Sequence, residues 1–198
     1  MPIEYEAKFL GIDHAAFAAT LAQAGYECVM PNFLFRRQVF NLPNEGVGKW
    51  GRVRWERDVI NLSIKHVVDV NAVDGTHEYL INIPINDNPA KQYDDAIAFM
   101  LACGLTRAGA QENYRETWVK DGVEICIDRW PGLQSFVEVE AADEASVRNA
   151  SAELGLDFNT AIFGGITSVY QAEMGITPED FQKIAVVTFD QPPQAVKR

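Results

Sequence analysis

The segment Ile3-Glu4-Tyr5-Glu6-Ala7-Lys8-Phe9 alternates apolar and charged residues without a break. A strand with this period of two carries Glu4, Glu6 and Lys8 on one face and Ile3, Tyr5, Ala7 and Phe9 on the other. The pattern returns down the chain. Arg52, Arg54 and Glu56 alternate with Val53 and Trp55, and Ser63 and Lys65 alternate with Leu62, Ile64 and His66. Glu124, Cys126 and Asp128 alternate with Val123, Ile125 and Ile127, and Glu138 and Glu140 with Val137 and Val139. One charged row is ordinary on a wetted sheet face. Repetition constrains more, because every apolar face needs a core. Either the charged faces look at water, as in a sandwich, or they line the lumen of a barrel whose apolar faces are covered from outside.

The intervening segments favour the barrel. Asp13 is placed to N-cap a helix through Phe17 and Leu21 that stops at Gly25. Strand character is expected over 33–42, 50–57, 61–68, 78–85, 112–119, 123–128 and 136–140, with hairpin signals at Asp74-Gly75 and Asp121-Gly122. A second helix should open at Asn88-Pro89 and end near Gly104. A third should cover 144–154, followed by short helices around 168–174 and 178–183. The expectation is an α+β fold: about eight antiparallel strands closed into a barrel, with helices after strands one, five and eight packed outside. Residues 1–190 read as a single domain and 191–198 as a flexible tail.

Composition narrows the partners. A net charge of −11 repels nucleic acid and anionic membranes, although it leaves room for a local basic cavity. No apolar run approaches membrane-spanning length and no secretory leader is evident, so the expected location is the cytoplasm. Cys28, Cys103 and Cys126 are isolated, which suggests neither a disulfide frame nor a zinc site. Monomer and homodimer both stay open. The GxGxxG letters of Gly46–Gly51 precede a strand rather than open a helix, so they read as a hairpin loop and not a dinucleotide fingerprint.

A lumen built from these rows has a definite chemistry. Clustered Arg and Lys supply charge-assisted hydrogen bonds to phosphate oxygens. Clustered carboxylates cannot all stay ionised side by side, so they recruit hard divalent cations. Together they suit a small-molecule polyphosphate held against metal ions.

These residues resemble a known family. Glu4-x-Glu6-x-Lys8 is similar to the ExExK signature of the CYTH superfamily, the triphosphate tunnel metalloenzymes. Arg52-Val53-Arg54 resembles its RxR strand, Lys65 the following lysine and Arg115 the sixth-strand arginine. Asp128 and Glu138-Val139-Glu140 resemble its aspartate and closing ExE strand. The Pro131-Gly132-Leu133 loop and Ser168-x-Tyr170 also fit, and the order holds over nearly the whole chain.

The resemblance implies an eight-stranded tunnel, dependence on Mg²⁺ or Mn²⁺, and a triphosphate substrate. Lys8, Arg52, Arg54, Lys65 and Arg115 would be the catalytic, phosphate-gripping residues. Glu4, Glu6, Glu78, Asp128, Glu138 and Glu140 would hold metal, with Glu124 a further candidate. The expected activity is hydrolysis of tripolyphosphate, thiamine triphosphate or a nucleoside triphosphate. The alternatives are a class IV adenylyl cyclase and a tunnel that binds polyphosphate without turnover. Two positions depart from the pattern: Asn113 stands where a lysine is common, and Leu80 where a second acid is common. Glu56 and Arg57 read as surface charges, Trp130 as a packing lid and Lys183 as a solvated helix residue. Only one of Arg36 and Arg37 can face inward, and neither is assigned to the site.

Overall fold

The computed structural model describes residues 3–43 and 48–195. Gly46 and Val47 of the Gly46–Gly51 letters and the last three residues of the tail therefore lie outside the described residues. The strands are β1 (Ile3–Phe9), β2 (Glu27–Asn41), β3 (Lys49–Trp55), β4 (Val59–Val67), β5 (Thr76–Pro84), β6 (Thr106–Lys120), β7 (Val123–Arg129), β8 (Phe136–Ala141) and the two-residue β9 (Val186–Val187). Their order is β2-β3-β4-β5-β1-β8-β7-β6-β9, and a further β2–β6 pairing closes the first eight into an antiparallel barrel. The short β9 adds in parallel outside β6.

Among the described residues, five helices surround the barrel: α1 (His14–Gln23), α2 (Pro89–Ala102), α3 (Glu144–Glu153), α4 (Ile166–Met174) and α5 (Pro178–Phe181). Their starts follow the expected chemistry. Asp13, Asn88 and Asp143 each accept a backbone N–H of the first turn, at 2.8, 3.2 and 2.8 Å. At the β6–β7 hairpin Asp121 and Gly122 both take positive φ, 49° and 82°, as a tight two-residue turn requires.

The alternation seen in the sequence sorts the barrel into two faces. Outward residues of β1, β7 and β8 (Ala7, Phe9, Ile125, Ile127, Val137 and Val139) pack against Phe17 and Leu21 of α1 and Val147 and Ala150 of α3. Phe40, Val53 and Ile60 pack against Ala96, Ile97 and Met100 of α2. A third cluster joins Trp130, Leu133 and Phe136 to Val169 and Tyr170 of α4, Phe181 and Val187. The Tyr170 hydroxyl donates to the Pro131 carbonyl at 2.7 Å, which ties α4 to the loop between β7 and β8. Helices on the outside leave the inner faces to the charged rows.

Two strands are longer than alternation predicts. Strand β2 begins at Glu27 and β6 at Thr106, well ahead of 33 and 112. Their pairing shifts register between Cys28 and Met30, between Met30 and Phe33, and between Val39 and Phe40. Such bulges admit Pro31, which has no N–H for the ladder, and they break the period-two pattern that a sequence reading follows. Beyond β9, Thr188 and Gln191 pair, and Pro193 is buried.

Candidate active site

Pairing brings the charged rows onto one lumen. Glu6 faces Glu140 and Lys8 faces Glu138 across β1–β8, while Asp128 faces Arg115 across β6–β7. Arg54, Arg52 and Trp50 face Asn61, Ser63 and Lys65 across β3–β4, and Lys65 faces Glu78 across β4–β5. Residues directly opposite in a sheet point to the same side, so these side chains converge.

Each of the five cations assigned from the sequence finds a carboxylate. Lys8 Nζ lies 3.0 Å from Glu6 Oε1 and 3.2 Å from Glu138 Oε2. Arg115 makes a two-pronged bond to Asp128, Nε to Oδ1 at 2.9 Å and Nη2 to Oδ2 at 2.6 Å, and Nη2 also reaches Glu138 Oε1 at 3.0 Å. Arg52 donates to Glu78 at 3.0 Å, and Lys65 donates to Glu4 at 2.8 Å with Glu78 3.5 Å away. Arg54 Nε donates to Glu56 at 2.6 Å. Such pairs offset the cost of taking charges out of water, and an anionic ligand can exchange with the carboxylates for the same donors.

The acids outnumber their partners on one side of the lumen. Burial, opposed by Lys65 and helped by Glu78 and Glu6, raises Glu4 to about 8. Burial also acts on Glu78, but the Glu4 carboxyl, Lys65 and Arg52 outweigh it and bring Glu78 down to about 2. This pair therefore holds one proton near neutral pH, mostly on Glu4. Burial and the neighbours Glu138, Glu6 and Glu124 push Glu140 up to about 7. Burial works against Glu138, yet Lys8 and Arg115 hold it well below the usual carboxylate range. Lys8 is raised although its burial disfavours the charge, because Glu6 and Glu138 flank it.

The donor set is all carboxylate oxygen, crowded enough that Glu4 and Glu140 favour a proton over a full negative charge, and such a set fits a hard divalent cation. Among the described residues no three His, Cys, Asp or Glu side chains converge as a ready metal cage. The carboxylates are turned instead toward Lys8, Lys65, Arg52 and Arg115. Glu140 takes no hydrogen bond or ion pair among the described residues.

A cavity of about 220 Å³ opens at one end of the lumen, lined by Val29, Met30, Phe35, Arg54, Glu56, Arg115, Thr117 and Glu124. It sets apolar wall beside two guanidinium groups. The Arg54 guanidinium lies over the Phe35 ring, 5.2 Å from its centroid.

Two placements, those of Glu56 and Arg37, differ from the sequence reading, and Leu80 stands as expected. Glu56 is half-buried, lines this cavity and holds Arg54, so it is not a free surface charge. Leu80 faces Ser63 on the lumen side, where an acid would have extended the carboxylate row. Arg37, left out above, faces Arg54 and Gln111 and points inward, while Arg36 lies outside against Trp55. Arg37 is buried and donates to Asn113 Oδ1, and its guanidinium stacks 4.5 Å from the centroid of Trp130. Trp130 packs edge-on against Tyr170 and so is a lid, but one whose face receives a cation. Lys183 is exposed and paired with Asp180.

No family model matches the sequence, and no curated protein matches it. Solved structures do resemble it. One is a conserved hypothetical protein from Pyrococcus furiosus, 20% identical with a TM-score of 0.63 over 80% of this chain and 94% of that one. A proposed adenylate cyclase from Vibrio parahaemolyticus is 14% identical, with a TM-score of 0.67 over 85% and 98% of the two chains. HpAC1 from Hippeastrum, an adenylyl cyclase candidate described as having a dominant triphosphatase activity, is 14% identical, with a TM-score of 0.51 over 88% and 96%. At such identities the likeness speaks for the architecture. In fold this chain is an eight-stranded antiparallel barrel of the kind these structures share.

Proposed function

We propose that the protein is a divalent-metal-dependent hydrolase of a triphosphate-containing small molecule. The observation that carries this reading is the lumen itself. Lys8, Arg52, Arg54, Lys65 and Arg115 come from four strands of the barrel, β1, β3, β4 and β6, and all five are interleaved with carboxylates. A receptor for a simple anion would need the bases and would be hindered by the acids. A polyphosphate with its counter-cations needs both.

In this reading the five cations bind the phosphate oxygens, and releasing their present carboxylate partners frees those acids. Arg115, clamped by Asp128, presents a fixed guanidinium edge; Lys8 and Lys65 supply point charges. Glu4, Glu6, Glu78, Glu138 and Glu140 would hold Mg²⁺ or Mn²⁺. When bound, the cation neutralises phosphate charge and supplies an activated water. Burial of the site excludes bulk water and strengthens each charge contact on the developing transition state. The Glu4–Glu78 proton is lost when both carboxylates are drawn to a cation.

A cyclase reading has one observation in its favour: the apolar wall of Phe35 and Met30 beside Arg54 gives room for an organic group at the lumen's open end. The purified protein with Mg²⁺ or Mn²⁺ separates the two when given tripolyphosphate, thiamine triphosphate and ATP. Phosphate release without cyclic AMP is expected. Cyclic AMP with pyrophosphate would move the assignment to a cyclase, and tight binding with neither product would leave a binding tunnel.

A further inference from the structure

The lumen cations differ in what they hold. Lys8, Arg52, Arg54, Lys65 and Arg115 each have a carboxylate within ion-pair distance. Arg37 has none among the described residues; its bond goes to the neutral amide of Asn113. Asn113 in turn spends its Nδ2–H on Asp128 Oδ1 at 2.8 Å, and Asp128 is already committed to Arg115. A fully buried guanidinium without a counter-charge is costly, and here the cost is compounded by like charges. Burial, then Arg54, Arg52 and Arg115, hold Arg37 well below the usual guanidinium value, with Asp128 pulling weakly the other way. Its Nε–H is buried without an acceptor, and so is the Nε–H of Arg52 on the neighbouring strand. Two orphaned donors of one sign, on adjacent strands of one lumen, lack an anion.

The position explains why Arg37 can act there. It faces Arg54 and Gln111, and its side chain reaches across β6 to Asn113. Asn113 puts a neutral amide, with no charge of its own, between Arg37 and Asp128. The face of Trp130 supports the guanidinium from one side and fixes its plane, which leaves the Nε edge committed to no protein group.

Resting on the proposed triphosphate reading, we propose that Arg37 is a substrate-binding residue: with the free Nε–H of Arg52 it grips a phosphoryl group of the ligand, delivering from β2 the positive charge that Asn113 withholds from β6.

The test uses calorimetric affinity for tripolyphosphate in EDTA, so that metal and turnover play no part. Arg37→Gln should weaken binding about 10- to 100-fold, the range for losing a charge-assisted contact to an anion. Arg37→Lys should lie between wild type and Arg37→Gln. Asn113→Lys in the Arg37→Gln background returns a cation to the same place from the other strand, and should restore affinity to within about 3-fold of wild type, because the return of charge recovers most of a charge-assisted contact. A folded Arg37→Gln protein that binds as wild type does would overturn the inference. So would weakened binding that neither lysine variant improves, since that pattern assigns Arg37 a packing role against Trp130. Should Arg37→Gln fail to fold, Arg37→Lys decides: unchanged affinity rejects the role, and a partial loss supports it. Wild-type protein that binds tripolyphosphate neither in EDTA nor with Mg²⁺ would reject the tunnel reading as well, and so is distinguishable from failure of Arg37 alone; binding only with Mg²⁺ moves the same comparison of variants to that buffer.

Discussion

Glu140→Gln should make the metal-free protein more stable at alkaline pH while impairing metal-dependent turnover. Glu140 is buried among Glu138, Glu6 and Glu124 and is pushed from 4.5 to about 7. Its folded value lies above its unfolded one, so the fold binds this proton more tightly than the unfolded chain does. The associated stability is fully present below about 4.5 and is lost as pH rises through about 7. Fully realised, that gap corresponds to about 3 kcal/mol, and partial contact with solvent reduces it to about 1–2 kcal/mol. Glutamine keeps the shape and removes the charge. In EDTA at pH 8 the variant should therefore melt about 2–8 °C above wild type, since 1 kcal/mol moves Tm by about 2–4 °C in a chain of this size. At pH 4 the two should melt together, within about 1 °C. Thermal melts at the two pH values read both numbers. A variant that melts with wild type or below it at pH 8 would refute the claim that unrelieved carboxylate charge is stored at Glu140.

Further outcomes follow from the same geometry. Lys8→Met leaves Glu6 and Glu138 buried without their shared cation, and should cost about 3–5 kcal/mol of stability in urea melts together with loss of triphosphate binding. Glu138→Gln should abolish metal-dependent phosphate release with a much smaller loss of fold, as circular dichroism and activity on the same samples would tell; activity within about 3-fold of wild type, a change of under 1 kcal/mol in barrier, would contradict its assignment. Titration of Mn²⁺ into the protein at pH 7 in two buffers of different ionisation enthalpy should reveal proton release, because Glu4 and Glu140 carry protons there that a cation must displace. Saturating Mg²⁺ and tripolyphosphate should raise the melting temperature, and an unchanged melt would count against ligand binding in the lumen.

Much of this was legible because the barrel's inner and outer faces alternate strictly in β1, β3, β4, β7 and β8. Where alternation is unbroken, a residue's parity is its address: Glu4, Glu6, Lys8, Arg52, Arg54, Lys65, Asp128, Glu138 and Glu140 all sit on the lumen side. Strand β2 is different. Register shifts around Cys28, Met30 and Phe33 change its phase, and two adjacent arginines then leave no way to tell from sequence which one points in. The answer depends on long-range pairing with β3 and β6, and so Arg37 was missed. A weaker signal was available in Asn113, whose missing charge asks for a replacement from a neighbouring strand. Glu56 was misread for a simpler reason: it follows the last residue of β3 and reads as a hairpin charge, although it keeps the parity of Arg52 and Arg54 and holds Arg54 inside. Trp130 was read correctly as a lid, but an aromatic face is also a support for a guanidinium, and only the packing around Tyr170 shows which groups meet it.

The central claim is that the inside of this barrel is a polyphosphate site lined by cations at one set of positions and metal-binding acids at another. A crystal structure of the protein soaked with tripolyphosphate and Mn²⁺ tests it most directly. The account predicts a polyphosphate chain inside the lumen in contact with Lys8, Arg52, Arg54 and Arg115, and anomalous Mn²⁺ density against the Glu4, Glu78, Glu138 and Glu140 carboxylates. Polyphosphate bound only on the outer surface, or a lumen that keeps its present ion pairs at saturating ligand, would contradict it.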